Sequence, residues 1–224
     1  MNISVISIYK TPYGMAATNR ILSYSKGLIC NGHNVTIYNP FPTDNFNDDA
    51  IEDKGCYEGV NYFYTSGRYL LKNKYLRVLH RKLGIKRIVG YVTLLFVLIK
   101  QQNNRNIDFL FISNDSLRDL LFYSLIARIL KSKSVFIFDE YPIPIRHKLK
   151  LKIPKWKSFL FRIILKKVDL FVSISKELAE YYNNLSIHNT FILPVIVDTS
   201  RFEKLEIIKR PYRDEYICYM GNME

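Results

Sequence analysis

The chain has 224 residues, 33 Lys and Arg against 20 Asp and Glu, and a net charge of +13. That length suits one α/β domain with a stub of another, and a hydrophobic content of 48% excludes wholesale disorder. Nine Gly, eight Pro and three cysteines without a CxxC exclude a collagen-like chain, a disulfide scaffold and a zinc module, and suit a reducing compartment.

The opening MNISVISIYKTPYG lacks a basic n-region and does not read as a signal peptide. Residues 2–9 read instead as a short buried strand. A turn, Lys10 to Gly14, leads into a helix from about Met15 to Asn31, with Ile21, Leu22, Leu28 and Ile29 near the 3.6 period. Cys30 falls on the apolar side of this helix and is expected in the core. Asn31-Gly32 stops the helix, and His33, at the start of the next strand, reads as structural. Asn34 to Asn39 is rich in β-branched residues and forms the second strand. Pro40 to Gly55 is polar and acidic and reads as a loop. Gly59 to Thr65 is a third strand.

Helices are expected over about Arg68 to Leu83 and Ile88 to Asn103. The apolar run Gly90 to Ile99 is well short of the roughly 20 residues a spanning helix needs. Ile107 to Ser113 is a strand. Ser116 with Asp119 resembles a capping box before a helix that runs to about Lys131, and Asp115 is also read as a helix cap. Ser134 to Asp139 is a strand, and a Pro-containing loop leads to a helix over about Lys155 to Lys167. Asp169 to Ser175 (strand), Lys176 to Asn183 (helix) and Thr190 to Leu193 (strand) follow. Alternating apolar strands and helices imply an α/β fold, a Rossmann-like doubly wound parallel sheet covered on both faces. The domain is expected over residues 1–204. Residues 205–224, ending in the strand-like YICYMG, read as a linker and the first strand of a second domain.

The positive charge is concentrated. Gly59 to Ile107 holds ten bases and no acid, and Tyr141 to Val168 holds nine bases and no acid. Both mix Lys and Arg with large apolar residues. Such a stripe either faces the core with a solvated basic back or lies on an anionic membrane surface. Two such segments in one chain favour the membrane, with Lys72, Arg77, Arg81, Lys82, Lys155, Trp156 and Lys157 as contact residues. A basic nucleic-acid-binding module and a flavodoxin-like regulatory domain are the alternatives. The first would need a recognised module or aromatic-basic clusters on an exposed sheet.

In an open parallel sheet, ligands bind outside the carboxyl ends of the strands. That rule selects the loops Lys10–Ala17, Asn39–Asp44, Ser113–Ser116, Asp139–Arg146 and Ser175–Lys176. Gly14, at a helix start, suits a diphosphate or serves as a plain turn glycine. The loop TPYGMAATNR matches neither GxGxxG nor GxxxxGK[ST]. Asp139-Glu140-Tyr141 ends a strand, where a carboxylate can orient hydroxyls or accept a proton, or cap the loop. His80, His147 and His188 have no metal-ligand spacing, so no metal site is expected.

The apolar first strand, the Gly14 loop, the helix with Asn19-Arg20 and the Gly32-His33-x-Val35-Thr36 stretch resemble the amino-terminal domain of family 4 glycosyltransferases, of GT-B fold. VDLFVSISKELAEYY resembles the family's sixth strand and helix. ILPVIVDTSRF resembles the stretch before the interdomain linker, and ICYMGNME the first strand of the second domain. The linker reads Pro194-Val195-Ile196-Val197-Asp198 in place of the usual Pro-Asn-Gly-Val-Asp. Ser113-Asn114-Asp115 and Asp139-Glu140-Tyr141 stand where many relatives carry a histidine. The resemblance implies a retaining transfer from a nucleotide-diphosphate sugar to a glycan or lipid-linked acceptor. The place would be the cytoplasmic face of the membrane, with no tightly bound cofactor and no nucleic-acid partner. It implies donor-diphosphate contacts at Gly14 and Met15, acceptor contacts at Asn19, Arg20, Glu140 and Tyr141, and Asp139 as the catalytic candidate. The paired glutamates of the donor site would lie in the second domain, so the 224-residue chain alone is expected to be inactive.

Overall fold

The computed structural model describes residues 1–14, 16–42, 52–67, 84–114, 116–138, 154–185, 189–194 and 196. In chain order these form β1 (Asn2–Ser7), α1 (Ala16–Cys30), β2 (Asn34–Asn39), β3 (Lys54–Tyr57) and β4 (Val60–Tyr64). There follow α2 (Ile85–Arg105), β5 (Phe109–Ser113), α3 (Leu117–Ile129), β6 (Lys133–Phe138), α4 (Lys155–Leu165), β7 (Leu170–Ser173), α5 (Lys176–Asn184) and β8 (Thr190–Ile192). The strands make one sheet in the order β3-β4-β2-β1-β5-β6-β7-β8. Every pairing is parallel except the β3–β4 hairpin. Parallel strands buried on both faces need continuous apolar runs, and β5 and β6 have them, while in β1 the buried Ser4 interrupts the run and donates to Gln101 Oε1 at 3.2 Å.

Alternation along the strands sorts the core into two sides. Ile3 and Val5 of β1, Val35 and Ile37 of β2, and Val60, Tyr62 and Tyr64 of β4 pack with Ile21 and Leu22 of α1. Ile6, Leu110, Ile112, Phe136, Phe138 and Phe171 point the other way. They pack with Leu94 and Leu98 of α2, Leu120 and Tyr123 of α3, Phe161 and Leu165 of α4, and Tyr182 of α5. Each such side chain, taken fully out of water, contributes about 1.5–3 kcal/mol. The second side holds an aromatic stack in which Phe138 and Phe171 lie 5.5 Å apart and nearly parallel.

Three expectations change. Lys54 and Gly55, read as the end of the Pro40–Gly55 loop, open strand β3 (Lys54–Tyr57); residues 43–51 of that loop lie outside the described residues. The hairpin turns through Glu58 and Gly59, both at positive φ, which matches the right-handed twist of the flanking strands. Ser116 forms no side-chain cap on α3, and Asp119 turns away from the helix end to other partners, so the capping box does not form. Cys30 is exposed, not core, because in the last turn of α1 it is Leu28 and Ile29 that pack against the core. The helix expected over residues 68–83 and Asp115 lie outside the described residues.

Candidate functional site

The strand order reverses at the sheet centre. From β1 the chain proceeds to β2 and β4 on one side, and from β5 to β6, β7 and β8 on the other. Ser7 pairs with Ser113, so the loops after β1 and β5 leave the carboxyl edge side by side. This is the switch point at which an open α/β sheet forms its crevice.

The loop after β1 is held by residues distant in sequence. The Asn39 side chain, at the end of β2, donates to the Tyr9 carbonyl at 2.9 Å and accepts from Phe41 N–H at 2.9 Å. The Tyr64 hydroxyl, at the end of β4, accepts from Thr11 N–H and donates to Thr11 carbonyl, both at 2.8 Å. Burial pushes this phenol up to about 12, although its backbone bond to Thr11 opposes the shift. The Thr11–Pro12 peptide is cis. Thr18 of α1 donates to the Lys10 carbonyl at 2.7 Å, closing the loop onto the helix.

Gly14 sits inside that closure. A Cβ there would lie 2.6 Å from the Lys10 carbonyl oxygen and 2.1 Å from Thr18 Oγ1. Glycine is needed because nothing larger fits, and the residue is exposed. Just beyond it α1 begins at Ala16, with no acidic residue in its first turn. Helix-start N–H groups without a competing carboxylate form a ready anion cradle.

Asn19 is half-buried on α1, and its carbonyl accepts from Ser23 Oγ at 2.9 Å. Arg20 is buried on the same helix. Burial pushes its guanidinium down from its ordinary value, and the neighbouring Tyr24 and Tyr9 oppose that shift. Met15, Asp139, Glu140, Tyr141, Lys72, Arg77, Arg81 and Lys82 lie outside the described residues. Lys155 and Trp156 are exposed and Lys157 is half-buried at the start of α4, with the Lys157 ammonium 5.7 Å from the Trp156 ring centroid.

A second cluster, not singled out by the sequence, closes the β5 side. Asp119 of α3 is buried and accepts from Tyr91 OH at 2.7 Å, Asn114 Nδ2 at 2.8 Å and Arg87 Nη2 at 3.1 Å. Arg87 also donates from Nε to Tyr91 OH at 3.1 Å, and lies over the Phe41 ring at 4.9 Å. Partial burial pulls the Arg87 guanidinium down, but Tyr91 and Asp119 outweigh it and hold it above its ordinary value. The start of α2 is pressed on this edge. A Cβ on Gly90 would meet the Pro40 carbonyl oxygen at 2.0 Å, and Thr65 Oγ1 donates to the Gly90 carbonyl at 2.8 Å. Asp119 and Arg87 are 32 residues apart, so no local motif could reveal the pairing. The one sequence signal was that Asn39 and Asn114 stand at strand ends.

No family model matches the chain, and no curated protein matches it in sequence. Solved structures do match it in fold. Sucrose-phosphate synthase from Thermosynechococcus elongatus superposes with a TM-score of 0.58 at 10% identity, over 86% of this chain and 47% of that one. Phytolacca americana UGT2, complexed with UDP-2fluoro-glucose and pterostilbene, gives 0.55 at 10% identity, over 90% and 56%. Arabidopsis thaliana UGT89C1, complexed with UDP-L-rhamnose, gives 0.54 at 14% identity, over 89% and 53%. The chain thus spans about half the length of the structures it matches. Its fold is the Rossmann-like, amino-terminal half of a GT-B glycosyltransferase fold.

Proposed function

We propose that this chain is the acceptor-side domain of a nucleotide-sugar-dependent glycosyltransferase of the family 4 type. The carrying observation is the switch-point crevice, where Gly14 packs against Lys10 and Thr18 beside the open start of α1. Fold neighbours complexed with UDP-2fluoro-glucose and UDP-L-rhamnose support a nucleotide-diphosphate sugar as donor. In this reading residues 205–224 begin a second domain that carries most of the donor site. The loop at Gly14 and Met15 approaches the donor diphosphate across the cleft, where backbone N–H groups and the helix dipole neutralise charge on the leaving group. Asn19, Arg20, Glu140 and Tyr141 position a glycan or lipid-linked acceptor, and Asp139 is the candidate to take its proton. Transfer proceeds with retention, in the service of polysaccharide assembly. The enzyme works as a peripheral protein on the cytoplasmic membrane face, held by Lys72, Arg77, Arg81, Lys82, Lys155, Trp156 and Lys157. Among the described residues no helix is long and apolar enough to cross a membrane.

The test compares the 224-residue chain with the chain extended through the downstream coding sequence, using a panel of nucleotide sugars and lipid-phosphate acceptors. The extended protein is expected to transfer a hexose, with the product anomer matching the donor by NMR, and the 224-residue chain to transfer none. Transfer by the 224-residue chain alone overturns the half-site reading. Unchanged turnover in Asp139→Asn removes Asp139 from the mechanism.

A further inference from the structure

The helices that cover the second side of the sheet carry apolar residues on their outer faces as well as their inner ones. On α2, Leu94 and Leu98 are fully buried, while Ile88, Val92 and Phe96 are exposed on the opposite side, Phe96 by 67%. On α3, Leu120, Tyr123 and Ile126 face the core, and Leu121, Leu125 and Ile129 stand out at one-turn spacing. On α4, Phe161 and Leu165 face the core, and Trp156, Phe159 and Leu160 are exposed. The three stripes are neighbours. The Tyr91 ring of α2 meets the Phe122 ring of α3 at 5.2 Å, and α3 packs against α4. They therefore form one surface.

The exposed charges on the three helices have one sign. α2 and α4 contain no acid, and the single acid of α3, Asp119, is buried and bonded to Arg87, Tyr91 and Asn114. Lys100, Arg105, Arg118, Arg128, Lys155 and Arg162 are all exposed. An apolar patch whose three helices expose, among the described residues, only basic charges suits a layer that is apolar within and anionic at its surface. A second copy of the chain would set base against base across the contact. A nucleic acid could stack only on the separate rings of Phe96, Trp156 and Phe159, and the aliphatic side chains Ile88, Val92, Leu121, Leu125, Ile129 and Leu160 between them offer bases no platform.

We propose that the outer faces of α2, α3 and α4 together are the membrane-contact surface, seated on anionic phospholipid. This rests on the membrane part of the function proposed above, and extends it to α2 and α3. It also orients the molecule. All three helices run from the carboxyl edge of the sheet to its amino edge, as the Gly90–Pro40 contact and the bond from Asn2 Nδ2 to the Arg105 carbonyl show for α2. With the helices flat on the bilayer, the sheet lies roughly parallel to it. The crevice then opens sideways along the headgroups, where an acceptor held in the membrane can enter.

The test is co-flotation of the full chain with phosphatidylcholine vesicles with and without phosphatidylglycerol. Three double variants are compared: Val92→Glu with Phe96→Glu, Leu121→Glu with Leu125→Glu, and Phe159→Glu with Leu160→Glu. Thermal midpoints and far-UV circular dichroism check that each folds. Wild type is expected to float with the anionic vesicles only, and each double variant to bind them about tenfold more weakly or worse. Arg118→Gln with Arg128→Gln, which leaves the apolar surface intact, is expected to lose about fivefold per charge. If wild type floats with anionic vesicles and only the α4 variant loses binding, the three-helix surface is wrong and membrane association stands. If wild type does not float, both fall. A dimer in solution that Phe96→Glu dissociates, with vesicle binding unchanged, makes the surface a self-association face and overturns the proposal.

Discussion

The two sides of the sheet are covered by helices of different character. α1 buries Ile21, Leu22 and Tyr24 and exposes no large apolar side chain. α2, α3 and α4 bury comparable residues and expose a second apolar stripe each. A helix with one apolar stripe is completed by its own sheet, whereas a helix with two is completed only by something further. The difference separates the part of the apolar content that holds the fold from the part left for contact with an outside layer.

The strongest way to break this comparison is to cut one residue of each kind on the same side. Phe171→Ala removes a fully buried ring stacked between Phe138 and Tyr182, and is expected to cost about 3–5 kcal/mol in urea unfolding. Phe96→Ala is expected to stay within about 0.5 kcal/mol of wild type in the same measurement. Equal losses would mean that the exposed stripe is part of the core. Next in size is Gly14→Ala, on the α1 side of the crevice. Its Cβ must displace the Thr18–Lys10 closure, at about 1–3 kcal/mol, and it lowers transfer by the extended enzyme. Retention of full activity would remove this loop from the donor site.

On the opposite side of the crevice, Asp119→Asn takes the counter-charge from Arg87 and is expected to cost about 1–2 kcal/mol. No measurable loss by chemical denaturation would mean that the cluster is not an anchor. The smallest effect belongs to the amino edge. Partial burial pushes the Asp169 carboxyl up, but Ser134 N–H, Lys133 and Ser134 Oγ outweigh it and hold it below its usual value. Because the folded carboxyl is depressed, its contribution is present above the unfolded value and is lost as pH falls through the folded one. Wild type should therefore exceed Asp169→Asn by less than about 1 kcal/mol near neutrality, and the margin should close below about pH 4. A margin that widens in acid would reverse the assignment.

Much of the scaffold could be read from local pattern. β1, α1 and β2 lie within a residue or two of their expected limits, because the runs NISVIS and NVTIYN and the Asn31-Gly32 stop act over a few neighbours. β3 could not be read this way. It is an edge strand whose Lys54 and Gly55 carry little β preference, and a Cβ on Gly55 would stand 2.8 Å from the Tyr62 hydroxyl oxygen and 3.0–3.1 Å from its ring. Of the crevice, the Gly14 loop was legible as a strand-to-helix turn. The groups that hold it, Asn39 and Tyr64, and the Arg87–Asp119 cluster were not, since each contact joins residues separated by tens of positions. Ser116-x-x-Asp119 has the spacing of a cap, yet the buried carboxylate gains more from a guanidinium and a phenol than from a helix end.

By itself the sequence determined a parallel α/β sheet, a crevice loop at Gly14 and two acid-free basic segments. Tertiary structure alone decided which apolar residues those segments show to the outside. A helical period marks stripes on a cylinder, but only the neighbouring sheet selects the stripe that becomes core. It also brought α3, whose Asp119 breaks any acid-free run, onto the same surface as α2 and α4 by burying that acid against Arg87. The charge pattern is a property of the chain, and the face it occupies is a property of the packing.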